Sequence, residues 1–337
     1  MPFPERLGEL RRRYRLRWKR RGLLWRAFRK RRELVPVKDR TGAIRRGDVL
    51  AVAVLRDEML RLPHWLDHHR GLGVAHFLLV DNGSGDGSRE FLAAQRDVSL
   101  WSAETSYRAA RFGMDWANRL LGRHGAGHWC LTLDADELLV YPDWEARSLP
   151  ALTGRLEALG REAMACLMVE LYPKGPVDEQ APRPDPLGHL EWFDPSGYRA
   201  RRQDRYGCRV VQGGPRDRVL FAGDPARAPV LSKVPLVRWR RGMAYVNSTH
   251  FALPGRVNRA LDDGPTGALL HTKLLPDAPA RARQERARGE HFTDPGYHVA
   301  YYHALAAGPD FWFEGSVRYE GWRQLEALGL LRRDGLD

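Results

Sequence analysis

Asp134-Ala135-Asp136 follows the apolar run Trp129-Cys130-Leu131-Thr132-Leu133. That run is too short for a helix and has turn residues on both sides, so it reads as a buried strand. Two carboxylates at the carboxyl end of such a strand lie where open α/β sheets bind ligands. Their natural guest is a hard divalent cation, Mn2+ or Mg2+, shared with the phosphates of a nucleotide. Two more segments place acids the same way. Arg56-Asp57-Glu58 ends the β-rich run 49–55, and Asp81-Asn82-Gly83-Ser84-Gly85-Asp86 ends the run 76–80. In a parallel sheet these strand ends share one edge, so their side chains converge on one crevice. Asp81 or Asn82 is expected to meet a base and ribose there, and Asp136 a metal. Taken alone, the Asp-Gly-Ser loop would be an ordinary turn whose aspartates cap the next helix.

The elements that must position these residues alternate. The run 49–55 is followed by a helix carrying Leu62, Trp65, Leu66, His69 and Leu72 on one side, with Pro63 in its first turn and Gly71 and Gly73 at its end. Strands 76–80 and 98–101 enclose a helix that begins at 88–95, and a long helix from Tyr107 to about Leu121 leads to the strand bearing the aspartates. This is the grammar of an α/β fold, a mostly parallel central sheet flanked by helices. A helix over 149–159 and a strand over 163–171 follow. Residues 173–228 are rich in Pro, Gly, Arg and Asp and read as substrate-facing loops. Strand-like pieces at 234–239 and 243–246 precede a helical C-terminal third. The expected organisation is a basic arm and polar linker over 1–47, a catalytic domain over 48–275 and a helical extension over 276–337.

Charge is unevenly distributed. Residues 1–32 hold fourteen Lys or Arg against Glu5 and Glu9, a net of +12 out of +13, which leaves the other 305 residues near neutral. Within that arm Leu7, Leu10, Tyr14, Trp18, Trp25 and Phe28 recur at helical spacing among arginines. The pattern suits an amphipathic helix on an anionic membrane surface. A solvated basic tail is the plain alternative, and nucleic acid is the less favoured partner. No run reaches the ~18 apolar residues of a membrane span and the N-terminus lacks an apolar signal core, so a cytoplasmic protein is expected, peripheral on the inner face of the membrane. Cys130, Cys166 and Cys208 are widely spaced and read as small buried hydrophobes.

Four segments together resemble the family 2 glycosyltransferases. They are Val54-Leu55-Arg56-Asp57-Glu58, Trp65 to Val74, Val80-Asp81-Asn82-Gly83-Ser84-Gly85-Asp86-Gly87-Ser88 and Leu133-Asp134-Ala135-Asp136-Glu137. The likeness is to the bacterial branch whose first segment ends in Arg-Asn-Glu, with Asp57 here in place of the Asn. It implies a GT-A fold, a nucleotide-sugar donor (a UDP-sugar by expectation), a divalent metal, and a glycan or lipid-linked acceptor in cell-surface polysaccharide synthesis. By position, Asp136 resembles the direct metal ligand, and Asp134 would meet the ribose or a metal-bound water. Asn82 stands where the family commonly has an Asp that holds uracil. The resemblance implies a late histidine ligand, for which His271 in Leu269-Leu270-His271-Thr272 is the candidate and His250 the rival.

The expected metal set is thus Asp134, Asp136 and His271, and the donor site Arg56, Asp57, Glu58, Asp81, Asn82, Asp134 and Arg216. Arg216 would neutralise the departing diphosphate from a Gly-rich turn. An inverting transfer needs a carboxylate base, and Glu170 and then Asp194 are its candidates. Tyr172, Trp192, Phe193 and Tyr198 could stack on an acceptor sugar or simply fill a core. The rival readings are a nucleotidyltransferase, which would want a Gly-rich loop after the first strand, and a non-catalytic nucleotide- or membrane-binding module.

Overall fold

The computed structural model describes residues 3–177, 185–290 and 295–336. Among these residues nine segments pair into one sheet: β1 (Val35–Lys38), β2 (Val49–Leu55), β3 (Val74–Asp81), β4 (Val98–Ser102), β5 (Trp129–Thr132), β6 (Glu137–Val140), β7 (Ala163–Glu170), β8 (Ser232–Arg238) and β9 (Thr266–His271). Their spatial order is β1-β4-β3-β2-β5-β8-β7-β9-β6. Six strands run one way, while β1, β8 and β6 run against them, so the sheet is mixed but mostly parallel. The α-helices among the described residues are α1 (Phe3–Lys30), α2 (Leu62–Leu72), α3 (Ser88–Ala94), α4 (Met114–Leu120), α5 (Leu149–Ala158), α6 (Gly214–Leu220), α7 (Ala278–Arg288), α8 (Pro295–Ala306) and α9 (Trp322–Ala327).

Strand β2 shows why the sheet is covered on both sides. Its residues alternate between two cores. Val49, Ala51, Ala53 and Leu55 join the layer containing Leu62, Trp65, Leu66 and Leu72 of α2. Leu50 and Val52 join the layer containing Trp116, Ala117 and Leu120 of α4. With side chains two apart on one face, a strand buried in both layers must be apolar at every position, which is what Val-Leu-Ala-Val-Ala-Val-Leu supplies.

The chain runs from β2 outward to β3 and β4, then crosses back to β5 on the other side of β2. That reversal opens a crevice at the carboxyl ends of β2 and β5.

Several expectations need correction. The helix expected over 107–121 begins only at Met114, because Arg111, Phe112 and Gly113 all have positive φ. A side chain at Gly113 would lie 2.8 Å from Val54 Cγ1, so glycine is required where this turn crosses β2. The strand expected at 234–239 spans Ser232–Arg238 and runs antiparallel between β5 and β7. Strand β6 has no counterpart among the expected elements.

The N-terminal segment is docked rather than detached. Leu23 of α1 is buried against Ala244, Val246 and Leu253, and Ala27 of the same helix is buried too. Arg26 bonds Asp115 of α4 at 2.8 and 3.1 Å. Much of the stretch read as a linker is tied to the sheet edge, through β1 and an Arg40 N to Ser99 Oγ bond of 2.9 Å. The C-terminal helices likewise share the main core, with Tyr301, Tyr302, Leu305, Trp322 and Leu325 packed into it. Among the described residues no helix is long and apolar enough to cross a membrane.

Candidate functional site

A cleft of about 290 Å³ opens at the carboxyl ends of β2, β3 and β5, and α7 forms one of its walls. Val54, Arg56 and Glu58 reach it from the end of β2, Asn82 from β3, and Asp134, Ala135 and Asp136 from the turn after β5. The convergence inferred from strand order is therefore present.

The turn between β5 and β6 is tightly tied. Asp134 N donates to Glu137 Oε2 at 3.1 Å, and Trp65 Nε1 donates to the Asp134 carbonyl at 3.2 Å. The Asp136 carbonyl accepts from Thr272 N at 2.7 Å. Asp134 and Glu137 share the ammonium of Lys233, which is 2.8 Å from Asp134 Oδ2 and also bonds Glu137 Oε1. Burial, opposed by Lys233, raises the Glu137 carboxyl to about 7. The aspartate expected beside the ribose thus already carries a cationic partner from β8, although its side chain stays 54% exposed.

Asp136 is arranged differently. Its Oδ2 lies 3.2 Å from His271 Nε2, and His271 Nδ1 lies 3.4 Å from Glu170 Oε1. Sheet register builds this row, since His271 of β9 is paired with Glu170 of β7 on one side and Glu137 of β6 on the other. Burial works against the charged form of Asp136, yet the His271 charge beside it holds the carboxyl well below the usual range. Asp136, Glu137 and His271 have ligand atoms within 4.8 Å of one another, close enough for one ion. Both Glu137 oxygens are engaged by Asp134 N and Lys233, whereas Asp136 and His271 line the cleft and engage each other through Oδ2 and Nε2.

Among the described residues the cleft lining holds seven Lys or Arg and five carboxylates, a balance that favours an anionic guest. Several of these cations were not singled out from the sequence. Arg61 spans Glu58 at 3.1 Å and Asp277 at 3.3 Å, and Arg281 of α7 also grips Glu58, at 2.9 Å through Nη1. Arg288, two turns further along α7, donates to Asn82 Oδ1 at 2.7 Å. Lys233 and Lys273 line the cleft as well. A lysine inside the apolar run Leu231 to Trp239 was the signal for Lys233, because a buried ammonium demands a carboxylate. Arg281 and Arg288 stand i, i+7 on one helix face, a spacing visible in the sequence.

The other expected residues divide clearly. Arg56, Glu58, Asn82 and Arg216 line the cleft. Asn82 is fully engaged, since Nδ2 donates to the carbonyls of Ala103 at 2.5 Å and Thr105 at 3.1 Å while Oδ1 holds Arg288. Asp57 turns to Gly85 N at 2.7 Å and closes the loop after β3, and buried Asp81 holds Ser84 N and Arg89 at 3.2 and 2.7 Å. Both serve loop structure and stand outside the cleft lining.

Neither expected base fits that role. Glu170 is 2% exposed and is committed to Arg216 and His271. Asp194 is held by both arms of Arg218 at 2.9 Å and by the Tyr172 hydroxyl at 2.5 Å, away from the cleft. Arg216 in turn spends its charge on Glu170 and its Nη1 on the Tyr301 hydroxyl at 3.3 Å. Tyr172 and Phe193 are buried core residues, which removes them as a stacking platform. His250 lines the cleft, but its Nδ1 is bound to the Ser232 carbonyl at 2.8 Å, and burial beside Lys233 pushes its pKa down to about 4. It stands outside the Asp136–His271 pair. Searches against protein-family models and curated proteins return no match for the chain.

Proposed function

We propose that this chain is a metal-dependent glycosyltransferase of the GT-A type. It would move a sugar from a nucleoside-diphosphate donor, a UDP-sugar by preference, to a glycan or lipid-linked acceptor in surface polysaccharide synthesis. The reading rests on one observation. Asp136 and His271, backed by Glu170, face a cation-rich cleft at the carboxyl ends of three parallel strands. The donor set fits a divalent ion, and a mixed carboxylate–imidazole pair suits Mn2+ better than Mg2+, which prefers oxygen alone. Bound there, the ion would supply positive charge to the leaving diphosphate.

The chain's own residues support the rest of the chemistry. Lys273, Arg56 and Arg288 line the same cleft and would offset charge that develops on the phosphates as the glycosidic bond lengthens. Lys233 places one positive charge between Asp134 and Glu137, which reduces the repulsion those carboxylates exert on Asp136. Glu170 accepts from His271 Nδ1 and so directs Nε2 towards Asp136. Arg288 occupies the Asn82 carbonyl oxygen, so recognition of a base by Asn82 requires α7 to give way when donor binds.

The test is donor turnover by the full chain, read as nucleoside diphosphate released from a panel of nucleoside-diphosphate sugars with Mn2+. Turnover should vanish in Asp136→Asn while the melting curve is retained. Turnover that persists in that variant would remove the reading, as would the absence of any thermal stabilisation by nucleoside diphosphates with Mn2+.

A further inference from the structure

Helix α1 presents two opposite faces, and only one is used by the fold. The inner face carries Leu23, packed on Ala244, Val246 and Leu253, and the buried Ala27. Beside them Arg26 bonds Asp115, Lys19 donates to the Tyr206 hydroxyl at 2.7 Å, and Arg12 donates to the Asp204 carbonyl at 3.2 Å. These contacts fix the rotation of the helix about its axis. The outer face carries Leu10, Tyr14, Trp18, Trp25 and Phe28, each between 44 and 62% exposed. At about 100° per residue these five fall within a sector of about 80°, roughly opposite Leu23 and Ala27. The side chain of Leu7, expected in the same stripe, lies outside the described residues.

The exposed stripe spans about 27 Å at the helical rise of ~1.5 Å per residue. Tyr14 meets Trp18 edge-on at 6.1 Å and Trp25 stacks on Phe28 at 5.8 Å. Arginines flank it. Arg11, Arg15, Arg17, Arg21 and Arg29 are all exposed, and among the described residues no carboxylate pairs with them. The Arg21 guanidinium lies over the Trp18 ring at 5.0 Å, and Arg31 over Phe28 at 3.8 Å.

We propose that this face of α1 lies on an anionic lipid surface, with the aromatic ridge at headgroup depth and the arginines on lipid phosphates. The combination decides the partner. A nucleic acid would satisfy the arginines through phosphates but leave Leu10 and the aromatic ridge in water. A second copy of this chain packed face to face would bring two arginine-rich strips together, and like charges repel. An anionic bilayer satisfies both halves at once, because Trp and Tyr favour the interface and arginine stems can lie along apolar surface while their heads reach phosphate.

Docking also sets where the cleft lies. Glu33, just beyond the helix, accepts from Thr105 Oγ1 and Trp116 Nε1, both at 2.9 Å, and the Thr105 carbonyl accepts from Asn82 of the cleft at 3.1 Å. A helix lying on lipid therefore holds the cleft wall close to that surface. Lipid binding by α1 does not depend on the proposed reaction.

The experiment uses the full chain and vesicles of phosphatidylcholine, with and without phosphatidylglycerol. Co-sedimentation should occur with the anionic vesicles only, and brominated acyl chains should quench tryptophan fluorescence. Trp18→Ser with Trp25→Ser, and separately Arg17→Gln with Arg21→Gln, should each weaken partitioning at least about tenfold, with unchanged melting curves because all four side chains are exposed. Three results would overturn the proposal: no binding to anionic vesicles, tryptophan variants that bind like the parent, or preferential binding of an RNA or DNA oligonucleotide without bromolipid quenching. Should a variant fold poorly, bromolipid quenching of the unmodified chain alone decides whether the ridge enters lipid.

Discussion

Replacing Glu170 by Gln separates two roles that look alike in a sequence. The carboxylate ends β7 in a pocket where its Oε1 receives both Arg216 and His271 Nδ1. Burial opposes ionisation, but Arg216 outweighs it and holds the carboxyl below its usual range. Glutamine keeps the shape and removes the charge, leaving the Arg216 guanidinium inside without a counter-ion. Breaking a buried pair costs about 3–5 kcal/mol, and the lower end applies here because the amide oxygen still accepts. The second effect is on metal binding. Without the negative charge, His271 Nδ1 is held only by a neutral amide oxygen, a weaker partner for keeping Nε2 aimed at Asp136, which should weaken Mn2+ affinity about 10-fold. The assay is a Mn2+ titration followed by the electron paramagnetic resonance of the free ion, beside urea unfolding of the same samples. Unchanged Mn2+ affinity together with a collapse of kcat would contradict this account and restore Glu170 as a proton acceptor.

Other expectations follow from the same geometry. Buried His69 and half-buried His250 are held in their neutral forms, His250 with a pKa of about 4 and His69 well below its usual value through burial. The unfolded chain takes up their protons near pH 6.5, so their contribution to stability should be fully present above about pH 7 and fall as pH drops towards 4, by about 3 kcal/mol from His250 alone. Glu137, whose raised pKa adds stability over the same range, works in the opposite direction. The check is therefore His250→Gln: a change in denaturation midpoint between pH 7.5 and 5 identical to that of the parent chain would contradict this. Lys233→Met removes the cation between Asp134 and Glu137, and the folded-state pKa of Glu137 then rises further above its unfolded value. The variant should lose about 3 kcal/mol or more at pH 8.5 and less at pH 6, where Glu137 is protonated, as urea unfolding at the two pH values will show. Gly267→Ala places a Cβ 2.8 Å from the Val140 carbonyl, four residues before His271, so β9 must shift. About 1–3 kcal/mol of stability and part of the Mn2+ affinity should be lost together, and normal metal binding in a destabilised variant would argue against dependence on register.

What the sequence revealed and what it hid have physical reasons. Strand β2 was legible because a strand buried on both faces is written as an unbroken apolar run. Helix α2 was legible because its buried residues keep helical spacing up to the glycine that ends it. The carboxylates at 134 and 136 could be placed at the cleft because the end of an apolar strand fixes where the next residues emerge. Long-range neutralisation was not legible. Glu170 and Asp194 looked like free bases near the right strand, yet Arg216 and Arg218, distant in sequence, consume their charge. The basic arm was evident from composition, but its docking depended on Asp115 and Tyr206, whose positions no local pattern predicts. Asn82 was correctly placed at the cleft, whereas its occupation by Arg288 required knowing where α7 folds back.

The site is better understood as a consequence of strand pairing than of any single motif. Glu170, His271 and Glu137 are opposite one another on three adjacent strands, and Asp136 immediately precedes the last of them. Because side chains alternate along a strand, a slip of one residue in β9 would replace His271 in this row by Leu270 or Thr272 and turn the imidazole to the other face of the sheet. Gly267 opposes that slip, because any other residue of β9 in its place would bring a Cβ within 2.8 Å of the Val140 carbonyl, while Ala268, Leu269 and Leu270 are buried in the main core. Packing against the core thus holds the Asp136 carboxylate and the His271 imidazole side by side at the cleft. The motif at 134–136 supplies one half of the pair, and the register of a strand more than a hundred residues later supplies the other.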